Sequence, residues 1–388
     1  MTRYLKQINL LIIFLFCSFK LFSLPFVNTK YNYYVDFPEG YQIEEIDENF
    51  TSMMFSHPNI PVSFVMKIYE DKKSDSKTIL TNALTKLKAN FMIDNFDWQG
   101  LKTSISDFTM SLDKKYAGWS LCVPLEKKDS YLVMLCYTDE KNKQNCEQFI
   151  LSSLNSLIIN NNIFEGPIVS YAFPKGQKQE INLQIGKSKI KTHIDKNDAE
   201  ASQFLVDMEF GVFSLYVNHS LWKEAWQRYY RQIYCDSFSR LDKAATDIIL
   251  QLKKDCKKSN NIELEIGREL LAWVQSFYYS RNVENKFSSD FSPLPAIFLG
   301  AGSDCDSRSM LLCLFAKKMG IESILLISRE YKHAIAAVEF EAQGQKYSPP
   351  ESDREFLLGE TTADVTWGVI AQESILICQR GLVQLLPM

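Results

Sequence analysis

The fold of this chain is decided by the stretch GAGSDCDSRS at residues 300–309, which stands directly before the apolar run MLLCLFAKKMG at residues 310–320. The apolar residues recur at helical spacing and a glycine closes the run. This pattern predicts a helix that begins at an N-cap formed by Ser303 or Asp304. Cys305 then lies in the first turn, where unpaired amides and the positive end of the helix dipole favour a thiolate.

Two polar residues further along the chain follow in the order of a base and a base-orienting acid. A strand-like run at residues 321–328 is followed by His333, which heads a second apolar run. Glu360 comes directly after a short hydrophobic strand, and Asp364 competes with it as the acid. Together with Cys305, these residues have the order of a nucleophile, a base and an orienting group.

The residues around these positions resemble the transglutaminase-like superfamily, whose members share a papain-like core. That family typically shows a Gly-x-Cys-(Asp/Glu)-like stretch before an apolar helix, then His-Ala, then an Asp-Pro-Thr-like stretch. The last element here reads Glu360-Thr361-Thr362, so a glutamate replaces the usual aspartate and the proline is absent. The resemblance covers roughly the last third of the chain. It implies Cys305 as nucleophile, His333 as base and Glu360 as orienting acid.

The chemistry implied by this resemblance is acyl transfer through a thioester. The cysteine attacks an amide carbonyl, the histidine takes and returns the proton, and the acid fixes the imidazole tautomer. The backbone N–H of Cys305 would supply one oxyanion donor. Resolution by water gives a peptidase or amidase, and resolution by an amine gives a cross-linking acyl transferase. We expect hydrolysis of a protein or peptide substrate, with cell-wall peptide among the candidates, because exported members of the family are more often peptidase-like.

A catalytically inactive protein is the alternative. Asp304 and Asp306 flank Cys305, and their repulsion raises a thiol pKa, whereas the helix N-terminus and an imidazolium lower it. These acids and the departure at Glu360 favour an envelope protein that uses the same fold for binding. Arg308, one turn on, is expected to pair with an acid and hold the loop. Zinc binding by the three triad residues is disfavoured because they offer one sulfur and no local ligand pair, and no cofactor is expected.

Composition excludes other classes of function. The 388 residues suffice for two domains, and 46% hydrophobic with 23% charged residues is ordinary for a globular protein. A net charge of −4 and the lack of a basic patch argue against nucleic-acid binding. No CxxC pair occurs, so we expect most cysteines, including Cys313, to be buried and inert rather than a disulfide framework. His57, His193 and His219 are expected to be structural or surface residues.

The N-terminal segment predicts export. Residues 1–23 carry three basic residues, no acid and an apolar run at residues 8–19. That layout is typical of a secretory signal peptide, and the run is short for a membrane span. An uncleaved anchor, or a lipid anchor at Cys17, is the alternative and would associate the protein with a membrane. We therefore expect a periplasmic or extracellular location.

The pattern of elements predicts an α+β fold. A strand at residues 61–69, a helix at 76–91, a hairpin at 119–137 and a helix at 144–157 follow one another. This order resembles the small α+β domains of the PsbP-like kind, which implies a binding or spacer module. The expected division is a signal or anchor at residues 1–23, the α+β domain at 24–159, a linker and β-hairpin at 160–198, and a helical segment with the transglutaminase-like domain at 199–388.

Overall fold

The computed structural model describes residues 26–127, 129–159, 166–281, 289–350, 352–370 and 383–385. The predicted signal segment at residues 1–23, residues 160–165 of the predicted linker and hairpin, and Cys378 lie outside the described residues. Within these ranges an N-terminal sheet region is followed by helices and a second sheet, which confirms the predicted α+β class. No helix in the described ranges is long and apolar enough to cross a membrane.

The N-terminal region is built on a seven-stranded antiparallel sheet in the order β3-β4-β5-β9-β8-β7-β6, and β1, β2 and β10 form a second, small sheet. The strands are β1 Phe26–Asn28, β2 Tyr33–Val35, β3 Gln42–Ile46, β4 Ser52–Ser56, β5 Ser63–Glu70, β6 Asn90–Trp98, β7 Leu101–Ser111, β8 Lys115–Pro124, β9 Ser130–Asp139 and β10 Leu157–Ile159. The helices are α1 Ser76–Lys86 and α2 Lys143–Leu154.

Each face of the seven-stranded sheet is covered by a helix. Alternate residues of β5, such as Phe64 and Met66, belong to the core shared with Phe149 of α2. Leu80 of α1 packs on the opposite face with Val133 of β9. The alternation predicted for residues 61–69 therefore places one side of β5 in the core. The predicted hairpin is formed by β8 and β9, which pair antiparallel.

The helix predicted at residues 76–91 is shorter than the sequence pattern indicated. It ends at Lys86, and Lys88 takes a left-handed conformation with φ 54°. Phe91, which matched the helical spacing, lies in β6, where it pairs with Phe108 of β7. The prediction was wrong at the C-terminal end of the helix. The backbone N–H and C=O groups from residue 90 onward form hydrogen bonds with β7 instead of continuing the helix.

The second half of the chain contains a β-hairpin, a group of helices and an antiparallel sheet in the order β15-β16-β14-β13-β17. The helices are α3 Asp198–Ser214, α4 Trp222–Arg240, α5 Asp242–Asp255, α6 Ile262–Gln275, α7 Leu294–Phe298 and α8 Cys305–Met319. The strands are β11 Lys178–Ile185, β12 Ser188–Asp195, β13 Ser323–Ser328, β14 His333–Val338, β15 Lys346–Tyr347, β16 Phe356–Gly359 and β17 Val383–Leu385. The predicted hairpin around Gly186 is formed by β11 and β12.

Helix α8 is the centre of this second region. All of its residues from Cys305 to Ala316 are buried. Its apolar side chains, among them Leu311 and Phe315, join one core with the preceding helices and with β13 and β14. A helix buried on every side is held by packing rather than by an amphipathic stripe. Its first residue is therefore fixed in position relative to the sheet.

A buried polar joint connects the helices to the N-terminal region. Arg228 of α4 forms an ion pair with Glu209 of α3 at 2.7 Å, and both side chains are almost completely buried. The same guanidinium donates to the carbonyl oxygens of Asp36 at 3.1 Å and Ser152 at 2.9 Å. Because buried charges need partners, this network holds the two regions in one arrangement.

Replacing Arg228 by alanine is expected to lower the free energy of unfolding by about 3–5 kcal/mol, because Glu209 would remain buried without its cation. The measurement is guanidinium-induced unfolding followed by circular dichroism. The matched control is Arg268→Ala, since the ion pair of Arg268 with Glu265 is exposed. That control is expected to lose less than about 1 kcal/mol. Equal losses in the two variants would contradict this interpretation of the joint.

Candidate active site

The local sequence fixes Cys305 as the first residue of α8. Asp304 is the N-cap, and its carboxylate accepts hydrogen bonds from the Ser307 amide at 3.2 Å and the Ser307 hydroxyl at 2.6 Å. The Ser307 hydroxyl in turn accepts from the Asp304 amide at 3.0 Å, which completes a capping box. Of the two predicted caps, Asp304 is thus the one formed. Cys305 lies at the positive end of the helix dipole.

Antiparallel pairing brings His333 and Glu360 to the same end of the second sheet. His333 is the first residue of β14, and its neighbour β16 ends at Gly359, which pairs with Ala336. Glu360 therefore leaves β16 beside the start of β14. The distance from His333 Nε2 to Glu360 Oε2 is 2.9 Å, and Cys305 lies near enough to His333 to raise the pKa of the imidazole. The structure brings the three predicted residues together.

The charges of the three residues support one another. Burial lowers the pKa of His333, but hydrogen bonds with Cys305 and Glu360 outweigh it and raise that pKa to about 9. Burial raises the pKa of Glu360, but the hydrogen bond and charge of His333 and hydrogen bonds from Thr362 lower it to about 2. The Thr362 amide and hydroxyl donate to Glu360 Oε1 at 2.8 and 2.7 Å. At neutral pH His333 is therefore an imidazolium beside a carboxylate.

Glu360 rather than Asp364 is the acid in contact with His333. Asp364 is exposed on the turn that follows. Gln275, the last residue of α6, donates through Nε2 to the Glu360 carbonyl at 2.8 Å and to the Val365 carbonyl at 2.9 Å. These bonds hold the loop so that the Glu360 side chain faces the sheet end. The alternative left open by the sequence is thereby resolved geometrically.

The two acids beside Cys305 do not both carry a negative charge. Asp306 is buried and accepts a hydrogen bond from the Tyr230 hydroxyl at 2.8 Å. Burial, followed by repulsion from Asp304, raises the pKa of Asp306 well above its usual range. The pair of carboxyl groups therefore shares one proton, as closely placed acids do. Their repulsion of a thiolate at Cys305 is therefore weaker than two ionised groups would exert.

Arg308 holds the nucleophile loop, but the predicted pairing with an acid is wrong. Its guanidinium donates to the Ser303 hydroxyl at 2.9 Å and to the carbonyls of Thr361 and Phe277. No carboxylate among the described residues lies within ion-pair distance of it. Backbone carbonyls satisfy the buried charge instead, and they connect three chain segments. The sequence offers no local signal for these partners.

Arg281 is a residue of the site that the sequence analysis missed. Its Nη2 lies 3.5 Å from Cys305 Sγ and 3.0 Å from the Lys332 carbonyl oxygen. Segment 278–280 forms a parallel bridge with Ser303, which brings this arginine to the nucleophile loop. The bridge forms through an irregular segment after α6, where neither helical nor strand periodicity marks the arginine.

The residues predicted to be structural lie apart from this constellation. Cys313 is buried within α8, and burial raises its pKa to about 12. His57 packs against Phe149 in the N-terminal core, His193 lies in β12, and His219 contacts Tyr216. The cysteines of the described ranges are free thiols, and all except Cys256 are buried. Within those ranges no cluster of three or more His, Cys, Asp or Glu side chains could hold a metal ion.

Comparisons with known proteins are weak. No protein-family model and no curated protein matches the sequence. Cyanobacterial PsbP (CyanoP) from Synechocystis sp. PCC 6803 is similar at 10% identity and a TM-score of 0.31, over 37% of this chain and 96% of its own. LpqN of Mycobacterium tuberculosis, involved in cell envelope biogenesis, is similar at 11% identity and a TM-score of 0.27, over 35% and 89%. A Bacteroides thetaiotaomicron VPI-5482 protein covers 83% of this chain and 88% of its own, at 9% identity and a TM-score of 0.26.

CyanoP is a weak structural neighbour of the kind expected for a PsbP-like domain, and these similarities support no further conclusion. The name of none of these three proteins describes a transglutaminase-like protein. The site is therefore interpreted from its own geometry.

Replacing Glu360 by glutamine is expected to lower the pKa of His333 by more than one unit from about 9, because the carboxylate that stabilises the imidazolium is lost. The imidazolium fraction at pH 8 then falls. The measurement is the pH titration of the His333 ring proton by NMR. Asp364→Asn is the matched control and leaves the midpoint unchanged. A midpoint that stays near 9 in Glu360→Gln, or that moves equally in the control, would refute the proposed contact.

Proposed function

We propose that this chain is an exported, cysteine-dependent peptidase or amidase of the transglutaminase-like superfamily. The observation that carries the proposal is the His333 ring, which is hydrogen-bonded to Glu360 and lies beside Cys305 at the start of a buried helix. A nucleophile, a base and an orienting acid in this arrangement are suited to acyl transfer. Export is proposed from the signal-like residues 1–23.

The acylation step follows from the protonation states. With His333 Nε2 engaged by Glu360, Nδ1 is the ring nitrogen left to exchange a proton with the thiol. The Cys305 sulfur attacks the amide carbonyl and forms the S–C bond of a tetrahedral intermediate. The backbone N–H of Cys305 is placed at a helix start, where it can donate to the oxyanion. The C–N bond then breaks, and the amine leaves with the proton of the imidazolium.

Deacylation reverses these roles. Neutral His333 takes a proton from water, whose oxygen attacks the thioester carbon, and the C–S bond breaks to release the carboxylic acid. Glu360 keeps the ring oriented and stabilises the imidazolium that forms again. An amine in place of water would give a cross-linking acyl transferase. We propose hydrolysis because it needs water alone as the second substrate.

The second candidate is a binding protein without catalytic activity. The observation that favours it is the burial of Cys305, of which only 4% is exposed. A substrate carbonyl must reach the sulfur, so a thiol that stayed covered would be inert. In that case the fold would serve as an interaction module of the cell envelope beside the N-terminal sheet.

Acetylation by p-nitrophenyl acetate tests the proposal. The purified protein is expected to gain one acetyl group at Cys305, located by peptide mass spectrometry, and to lose it again in water. Cys305→Ala is expected to abolish this labelling, and His333→Ala to slow it by roughly 10²–10⁴-fold because general-base and general-acid assistance is lost.

The matched control is Cys313→Ala, which removes a buried thiol of the same helix and leaves the acetylation rate unchanged. Circular dichroism checks that each variant remains folded. If Cys305→Ala or His333→Ala is acetylated as fast as the wild-type protein, the result would contradict the proposal and favour the binding protein. Addition of a primary amine separates hydrolysis from transamidation, since only a transferase converts the thioester mainly to the amide.

A further inference from the structure

Arg281 connects the nucleophile with the residue that precedes the base. Its Nη2 is 3.5 Å from Cys305 Sγ and 3.0 Å from the carbonyl oxygen of Lys332. Lys332 adopts a left-handed backbone with φ 49°, a conformation that a non-glycine residue rarely takes. The arginine thus binds the backbone at the point where the chain turns to present His333.

The position of Arg281 is built into the fold. The Ser280 amide donates to the Ser303 carbonyl at 3.0 Å, and the Ser303 amide donates to the Tyr278 carbonyl at 3.0 Å. The two segments approach so closely that a Cβ on Gly302 would lie 2.4 Å from Ser280 Cβ. Glycine is therefore required at position 302. The bridge ends one residue before Arg281 and directs this residue to the thiol.

The charged groups around the thiol make its surroundings cationic. The Glu360 carboxylate is engaged by His333 and Thr362, and the buried acids next to Cys305 share one proton. Arg281 and Lys332, in contrast, are exposed. Among the described residues, the charges of Tyr279 and Asp290 also raise the pKa of Arg281, and the effect of Asp290 is the weaker of the two. An approaching ligand therefore meets a guanidinium beside the sulfur.

We infer that Arg281 makes the Cys305 site select acyl donors that carry a carboxylate next to the scissile amide. The inference rests on the proposed function and names its substrate class. Nη2 makes the two contacts described above, and Nε and Nη1 provide further N–H groups, each of which can donate to a carboxylate oxygen. A lysine at this position would keep the charge without the fixed planar arrangement of N–H donors. Peptides with an acidic group adjoining the cleaved bond are the expected substrates.

The test compares two alkylating reagents of similar size, neutral iodoacetamide and anionic iodoacetate. The rate of each at Cys305 is measured by peptide mass spectrometry in the full-length protein, and the ratio of iodoacetate to iodoacetamide reports the local charge. Cys256 is an internal reference thiol in the same sample. It is partly exposed, and burial followed by repulsion from Glu265, Glu269 and Asp255 raises its pKa.

The ratio is expected to be higher at Cys305 than at Cys256, and to fall roughly fourfold to tenfold at Cys305 in Arg281→Gln. The ratio at Cys256 stays unchanged in that variant, and Arg281→Lys retains most of the ratio at Cys305. The matched control is Arg268→Gln, which removes one exposed arginine of α6 and leaves the ratio at Cys305 as it is. An unchanged ratio in Arg281→Gln, or an equal fall in Arg268→Gln, would overturn the inference.

This outcome is distinguishable from failure of the proposed function. The iodoacetamide rate alone, compared between the wild-type protein and His333→Ala, reports whether the thiol is activated by the imidazole. If the iodoacetamide rate is the same in the wild-type protein and in His333→Ala, the result counts against the peptidase. The ratio between the two reagents still measures the charge that Arg281 contributes. If His333 activates the thiol but the iodoacetate-to-iodoacetamide ratio is unchanged in Arg281→Gln, the result counts against the substrate class alone.

Discussion

Arg308 is buried where three segments of the chain meet, and its guanidinium holds them together. It binds the Ser303 hydroxyl in the nucleophile loop, the Thr361 carbonyl beside Glu360 and the Phe277 carbonyl after α6. Without this side chain two carbonyls would lose their partners in a buried environment, which costs about 1–3 kcal/mol for each group. These three hydrogen bonds help to fix the relative positions of the cysteine, the acid and the segment that carries Arg281.

The electrostatics of the site follow from that geometry. His333 stands between Cys305 and Glu360, so its imidazolium is stabilised although the ring is mostly buried. Asp304 and Asp306 share one proton because burial, and then the closeness of the two carboxyl groups, disfavours a second negative charge. Cationic groups therefore outweigh anionic ones next to the sulfur, a balance that the spacing of acids in the sequence did not reveal. The same balance links the proposed reaction to the proposed acidic substrate.

Local signals in the sequence were sufficient for the elements that carry the site. Asp304 as a cap, Gly320 as a terminator and the apolar runs around His333 predict α8, β13 and β14 because each acts within a few residues. The contacts of Arg308 span 31 and 53 residues, and Arg281 reaches Cys305 across 24. Such contacts depend on tertiary packing, so periodicity could not predict them. The early end of α1 has the same origin, since pairing between β6 and β7 overrides helical spacing.

The most direct test of the central claim is the rate of iodoacetamide labelling at Cys305 as a function of pH, measured in the wild-type protein and in His333→Ala. An ordinary thiol has a pKa of about 8.5 and is almost wholly protonated at pH 6. If Cys305 and His333 form a thiolate–imidazolium pair, labelling persists at pH 6 in the wild-type protein and is lost in His333→Ala. Labelling that follows ordinary thiol titration and ignores His333 would contradict the catalytic account.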